Sequence, residues 1–242
     1  GLRVLGDPDH PIARGKLCSK CAVAYNGVWQ DVSQRLTNPL KRVGTKGEAE
    51  FREISWEDAL NEIVDQLQPL ITERRAESIL HTHYSGTLSL IANSFPCRFF
   101  NYLGASEIDP DTICNAAGHA AWQLMFGDSV LGLDPRTLAD SKCILLWGVN
   151  PSHTAPHTHE MLLEESAARV VVDPITTKTA AAADLHLKLR PGTDSALAFG
   201  LLHLLKQNGN FDEAFIEAHT LGYERLREAI DRCTPTWTEA IT

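Results

Sequence analysis

Two cysteines carry most of the chemical possibility in this sequence. Cys18 stands in Gly15-Lys-Leu-Cys18-Ser-Lys20-Cys21, and Cys114 lies between Asp109-Pro-Asp-Thr-Ile113 and Asn115-Ala-Ala-Gly118-His119. A cysteine at the start of a small-residue helix feels the positive end of the helix dipole, which favours thiolate. A thiolate serves as a nucleophile or as a soft-metal ligand; a packed cysteine is the plain alternative. Cys18-x-x-Cys21 has the spacing of a zinc knuckle or a redox pair. A zinc site needs a second pair, and no other Cys-x-x-Cys exists. A thioredoxin-like site needs a helix start, which the pattern does not announce there. His81-Thr-His83 is a possible metal pair, and His153 with His157 could share one helical face; for each histidine singly, capping or surface placement is the preferred reading. Cys97, after Pro96 in a helical stretch, and Cys143, in Cys-Ile-Leu-Leu-Trp147, read as small buried hydrophobes.

The elements that must position these residues follow from periodicity. Residues 1–52 are rich in turn residues, with short apolar runs, and predict an irregular or small β region. Ser55-Trp-Glu-Asp58 is a capping-box pattern, and Ala59, Leu60, Ile63, Val64, Leu67, Leu70 and Ile71 repeat at helical spacing behind it. From residue 78 the pattern becomes strand, loop, helix, repeated. Strands are expected at 78–83, 143–147, 169–173 and 185–189, and helices at 88–103, 113–126, 156–168 and 194–206. The near-continuous apolar run Cys143–Trp147 suits a buried parallel strand. The alternation predicts an α/β fold with a doubly wound parallel sheet.

In such sheets ligands bind beyond the C-terminal ends of strands, at the reversal of strand order. Two loops occupy such ends here, Gly148-Val-Asn150-Pro-Ser152 and Asp173-Pro-Ile-Thr176-Thr177. Glycine permits close backbone approach, Asn and Asp hydrogen-bond a base or ribose, and helix N-termini attract phosphate. Each loop alone is an ordinary turn; two in register favour a nucleotide-like ligand. No Gly-x-Gly-x-x-Gly is present, so the usual NAD fingerprint is missing.

Composition narrows the classes. A formal net charge of −9 without a Lys/Arg cluster argues against sequence-independent nucleic-acid binding. No apolar run reaches the roughly 20 residues needed to span a bilayer. The six cysteines do not form an evenly spaced framework in a short chain, so a disulfide scaffold is not expected. The start, Gly1-Leu-Arg-Val, is neither a signal nor a transit peptide and lacks an initiator Met. The cytoplasm is the expected location, with an exported form left open by the missing start.

The order of motifs resembles the molybdenum oxidoreductases that carry two molybdopterin guanine dinucleotides, the family of formate dehydrogenases, nitrate reductases and dimethyl sulfoxide reductase. The resemblance rests on Gly6-Asp-Pro-x-His-Pro, Gly15-x-Leu-Cys18-x-Lys20, Arg35-Leu-x-x-Pro-Leu40 and Ile54-Ser-Trp-x-x-Ala-Leu60. It continues through Leu146-x-Gly148-x-Asn150-Pro, Val172-Asp173-Pro, Ala183-Asp184 and Leu189-Arg190-Pro-Gly192-Thr193-Asp194.

It implies that Cys18 is the fourth ligand of a [4Fe–4S] cluster whose other three cysteines stand upstream of this sequence. Lys20 then lies between cluster and pterin. A Gly usual after that Lys is Cys21 here. Cys114 matches the protein ligand to molybdenum or tungsten. The spacing from Cys114 through Gly127 to Gly148 agrees with formate dehydrogenases, yet Asn115 stands where they place a substrate-handling His; His119, one turn on, is a possible substitute. Guanine dinucleotide contacts are implied for Ser85, Gly86, Thr87, Gly148, Asn150, Ser152, Thr154, Asp173, Arg190, Gly192, Thr193 and Asp194. Ile175 replaces the Arg that the family places after Asp173-Pro.

The resemblance thus implies an N-terminal fragment of a large catalytic subunit, with residues 1–52 the remnant of a cluster-binding domain and residues 53–242 a truncated α/β cofactor domain. The function implied is two-electron oxidation or reduction of a small substrate, with electrons passed to an iron–sulfur or other electron-transfer subunit. The 242-residue piece alone is not expected to hold an intact four-cysteine cluster. The alternative is a molybdenum-free electron conduit related to the large subunit of respiratory complex I. Retention of Cys114 and of the cofactor loops speaks against it.

Overall fold

The computed structural model describes residues 3–84, 90–108, 115–129 and 132–242. Ser85, Gly86, Thr87 and Cys114 lie outside the described residues. In chain order the regular elements are α1 (Ser19–Val23), β1 (Leu40–Arg42), β2 (Phe51–Glu53), α2 (Trp56–Thr72), β3 (Leu80–His81), α3 (Leu90–Leu103), β4 (Ser106–Glu107), α4 (Ala116–Phe126) and β5 (Cys143–Trp147). They continue with α5 (Pro151–Thr154), α6 (Pro156–Glu164), β6 (Ala168–Val172), α7 (Lys178–Ala181), β7 (Leu185–Leu187), α8 (Asp194–Gln207), α9 (Glu213–His219), α10 (Tyr223–Arg232) and α11 (Pro235–Ile241). The fold is mixed α/β with parallel sheets. Contacts group it into two compact units, Gly1–Ala22 with Leu133–Thr242, and Val23–Gly132.

In the first unit β5, β6 and β7 form a parallel sheet in that order. Consecutive strands are neighbours, joined by α5 and α6 and then by α7. The reversal of strand order expected of a doubly wound sheet is absent among the described residues. Period-two alternation sends Ile144 and Leu146 to one face, where Ile144 packs with Leu138, Leu162 and Ala167 and Leu146 borders the cluster. Leu145 points to the other face and is 49% exposed. The continuous apolar run therefore belongs to a strand covered on one face, not on two. The central strand β6 is the best-buried, with Val171 and Val172 at 0% and 1% exposure. Helix α6 stops at Glu164, four residues short of the expected end, and begins at Pro156, with Ala155 separating it from α5.

The second unit holds the antiparallel pair β1–β2, registered Leu40↔Glu53, and the parallel pair β3–β4, registered His81↔Glu107. Helix α2 opens as its sequence predicts: the Ser55 hydroxyl accepts from the Asp58 N–H at 3.0 Å and donates to the Asp58 carboxylate at 2.7 Å. Its apolar stripe forms at helical spacing, but no residue of α2 is buried, and Leu60, Ile63 and Val64 are all more than half exposed.

Candidate functional site

The first unit brings three strand ends to one edge of its sheet. Trp147 pairs with Val172, so the loops after β5 and β6 leave side by side. The Gly148 N–H donates to the Val172 carbonyl at 2.9 Å, and the Asp173 N–H to the Leu187 carbonyl at 3.2 Å. The two loops singled out from sequence are thus in register, as expected.

The turn at Gly148 has φ +62°, a left-handed conformation that favours glycine, and the space where a Cβ would stand is open. Gly192, in the loop following β7, combines φ +85° with the same open space. Backbone thus faces empty volume at two places on this edge, as a closely approaching ligand requires.

The loop that follows Gly148 carries a hydrogen-bonded cluster. The Asn150 side-chain carbonyl accepts from the Ser152 hydroxyl at 2.6 Å and from the Thr179 hydroxyl at 3.1 Å. The Thr179 oxygen also accepts from the Ser152 N–H at 3.2 Å, and the Thr154 hydroxyl donates to the Asn150 backbone carbonyl at 3.0 Å. Asn150, Ser152 and Thr154 therefore brace their own loop. Asp173 is buried; its carboxylate accepts from the Ile175 N–H at 2.9 Å and its carbonyl from His186 Nε2, also at 2.9 Å. Asp194, at the start of α8, accepts from the indole N–H of Trp147 at 2.7 Å, tying the last loop to the end of β5. The Thr193 hydroxyl donates to the Arg190 carbonyl at 2.7 Å, and the Arg190 side chain is exposed.

Sequence reasoning passed over Trp147, Thr179 and His186. The Thr-Thr-Lys-Thr run after Asp173-Pro was the available signal for Thr179: Thr177 caps α7 by accepting the Ala180 N–H at 3.0 Å, which sets Thr179 on the first turn. Thr179 is 4% exposed. Thr179→Val keeps its shape but leaves the Ser152 N–H and the Asn150 carbonyl each short of a partner. The expected loss is about 1–3 kcal/mol, the usual cost of a buried unsatisfied group, read as a lower urea midpoint at unchanged slope.

The Cys18 segment belongs to the same unit. Helix α1 starts directly after Cys18, which corrects the expectation that no helix begins there. Backbone N–H groups of Cys21 and Lys20 reach the Cys18 sulfur and, with the Lys20 ammonium, hold its thiol below the ordinary range. Partial burial and the Cys18 sulfur push the Cys21 thiol up. Neither cysteine is in a disulfide. The Lys20 ammonium donates to the His153 carbonyl at 3.1 Å, which sets Lys20 beside the Asn150 loop. Lys16 and Arg14 pair with Glu160 and Glu164 of α6 at 2.6 and 2.7 Å. His153 and His157 lie on different helices, α5 and α6, so the shared helical face does not form. Burial holds the His159 pKa below its ordinary value, favouring neutral imidazole.

In the second unit Asn115 is the N-cap residue of α4 without a side-chain cap bond; its carboxamide donates to the Tyr84 hydroxyl at 3.3 Å. The His119 N–H bonds the Asn115 carbonyl at 2.7 Å, placing the two one helical turn apart.

A family model described as molybdopterin oxidoreductase matches residues 35–228, most of the chain. The probable oxidoreductase YoaE of Bacillus subtilis (strain 168) is 37% identical over 100% of this chain and 35% of its own length. The nitrate reductase of Synechocystis sp. is 30% identical over 96% of this chain and 33% of its own. Dimethyl sulfoxide reductase DmsA of Escherichia coli (strain K12) is 32% identical over 78% and 25%. Among solved structures, acetylene hydratase from Pelobacter acetylenicus superposes with a TM-score of 0.66 and 28% identity, covering 96% of this chain and 32% of that one. The chain thus spans about a third of the length of the first relatives it matches.

Proposed function

Because this chain belongs to the molybdopterin oxidoreductase family, we propose that it forms part of a catalytic subunit performing two-electron redox on a small substrate at molybdenum or tungsten. The cofactor in this reading is a pair of molybdopterin guanine dinucleotides, with a [4Fe–4S] cluster as the electron exit and a separate electron-transfer subunit as partner. The residues present fit a guanine dinucleotide. Gly148 and Gly192 leave backbone open to it. Asp173 presents a buried carboxylate suited to a base or ribose donor. Arg190 offers a cation for the diphosphate, and the start of α8, at Thr193 and Asp194, offers backbone N–H donors.

The single observation that carries the reading is the Lys20–His153 bond. It joins the residue pair Cys18–Lys20, which would face the cluster, to the Asn150 loop, which would face the nucleotide. Bound there, the cofactor supplies the redox chemistry itself, and the protein supplies placement, electrostatics and exclusion of water. Cys114 would hold the metal as thiolate. Asn115 would offer a neutral amide where formate dehydrogenases have a His, which points toward substrates whose reaction does not lean on an imidazole at that position.

Metal and pterin analysis of the full-length protein tests this. Molybdenum or tungsten, together with pterin and iron, is the expected result. An active preparation without molybdenum and tungsten overturns the reading. Because a structural relative is named a hydratase, turnover is measured with and without an artificial electron carrier; a carrier-independent reaction moves the assignment from redox to hydration.

A further inference from the structure

A second group of metal-ligating side chains stands in the unit formed by residues 23–132, and the proposed cofactor reading makes no use of it. His81 and Glu107 are register partners across the parallel pair β3–β4. His83 is two residues on from His81, the spacing that returns a side chain to the same face of an extended segment. Cys97 comes from α3. One donor atom from each of these four residues lies within 4.8 Å of every other. His83 Nε2 is 2.6 Å from a Glu107 carboxylate oxygen and 3.8 Å from the Cys97 sulfur.

The histidines supply an independent sign that something is to be bound. His81 is 6% exposed, its ring stacked between His83 at 4.8 Å and Phe100 at 4.1 Å. Its Nδ1 is buried without a hydrogen-bond partner, and so is Nδ1 of His83. An unpartnered nitrogen in a ring as buried as that of His81 costs about 1–3 kcal/mol and is uncommon unless a ligand satisfies it. His83 faces Glu107 and Cys97 through Nε2, so an ion at the cluster would bind that atom.

We propose that His81, His83, Cys97 and Glu107 form a structural zinc site. Two imidazoles, one thiolate and one carboxylate make the N₂SO donor set of a four-coordinate zinc centre, and the two anions balance the dication. Zinc bonds of about 2.0–2.3 Å separate tetrahedral donors by roughly 3.3–3.7 Å. The cluster already spans that range, so the ion would replace the His83–Glu107 hydrogen bond and draw the other donors in slightly. With four protein ligands the site is closed, which suits fastening α3 to the β3–β4 pair rather than catalysis. The inference does not rest on the molybdopterin reading and would hold if that reading failed.

The test is zinc content and zinc-edge X-ray absorption of the full-length protein purified without chelator. One zinc per polypeptide is expected, with a single sulfur and three nitrogen or oxygen neighbours. Cys97→Ser and Glu107→Gln are the mild variants, and each is expected to lower zinc at least tenfold while remaining folded by circular dichroism. Cys18→Ser/Cys21→Ser is expected to retain zinc, which separates this site from adventitious binding at the Cys-x-x-Cys pair. Absence of zinc from the folded wild-type protein overturns the proposal. So does zinc kept by both Cys97→Ser and Glu107→Gln, or zinc lost only in the Cys18/Cys21 variant.

Discussion

Cys114→Ala in the full-length protein is expected to lower turnover by more than about 100-fold while leaving pterin content near that of the wild type. Changes to residues that merely support a metal ligand cost 10–100-fold, so loss of a direct ligand should exceed that range. The pterin should survive because the residues proposed to hold the nucleotide, Gly148, Asp173, Arg190 and Gly192, belong to the first unit and are unaltered. Cys114→Ser divides the effect further. A hydroxyl is a harder and less readily ionised donor than a thiol, so metal should remain with reduced activity and a changed electronic spectrum. Loss of metal, pterin and stability together in both variants would return Cys114 to the packed-cysteine reading. Activity near wild type in Cys114→Ala would remove it from the reaction altogether.

The elements around the site were legible to different degrees, and the differences have physical causes. Strand β5 was read to the residue because Cys-Ile-Leu-Leu-Trp has no competing helical period and Gly148 ends it. The Ser55 cap was equally plain, since a cap is a local interaction between residues three apart. Burial was not legible. The run 143–147 is apolar at every position, so alternation could not reveal that Leu145 leaves the core. The α2 stripe likewise predicts its helix correctly but not what covers it.

Within the site, the paired loops could be read because register at strand ends follows from parallel topology. The braces could not. The Trp147–Asp194 and Asn150–Thr179 bonds join residues far apart in sequence, and neither residue type announces its partner. Cys97 shows the same limit. Its helical neighbours suggest a small hydrophobe, and only the fold brings it to His83. The helix behind Cys18 was missed because its five residues carry no capping pattern and are too few to show a period.

Gly148→Ala is expected to cut the affinity for the guanine dinucleotide about tenfold or more, equivalent to roughly 1.4 kcal/mol. Alanine does two things at this position. It imposes a left-handed conformation on a residue with a Cβ, at about 1–2 kcal/mol, and it puts a methyl group into the open space that the cofactor would occupy. Gly209 separates the two effects. It too is left-handed, at φ +67°, with nothing near the place of its Cβ, but it follows the C-terminal end of α8, away from the three strand ends. Gly209→Ala therefore carries the backbone strain without the obstruction. Both variants should lose similar stability in denaturant, and only Gly148→Ala should lose pterin, assayed by the fluorescence of its oxidised form. Equal pterin in the two variants would mean that the cofactor does not approach the β5 turn. Loss in both would mean that local stability, not contact, governs loading. A selective loss at Gly148 would fix the cofactor against the strand-end edge by a contact that strain cannot imitate.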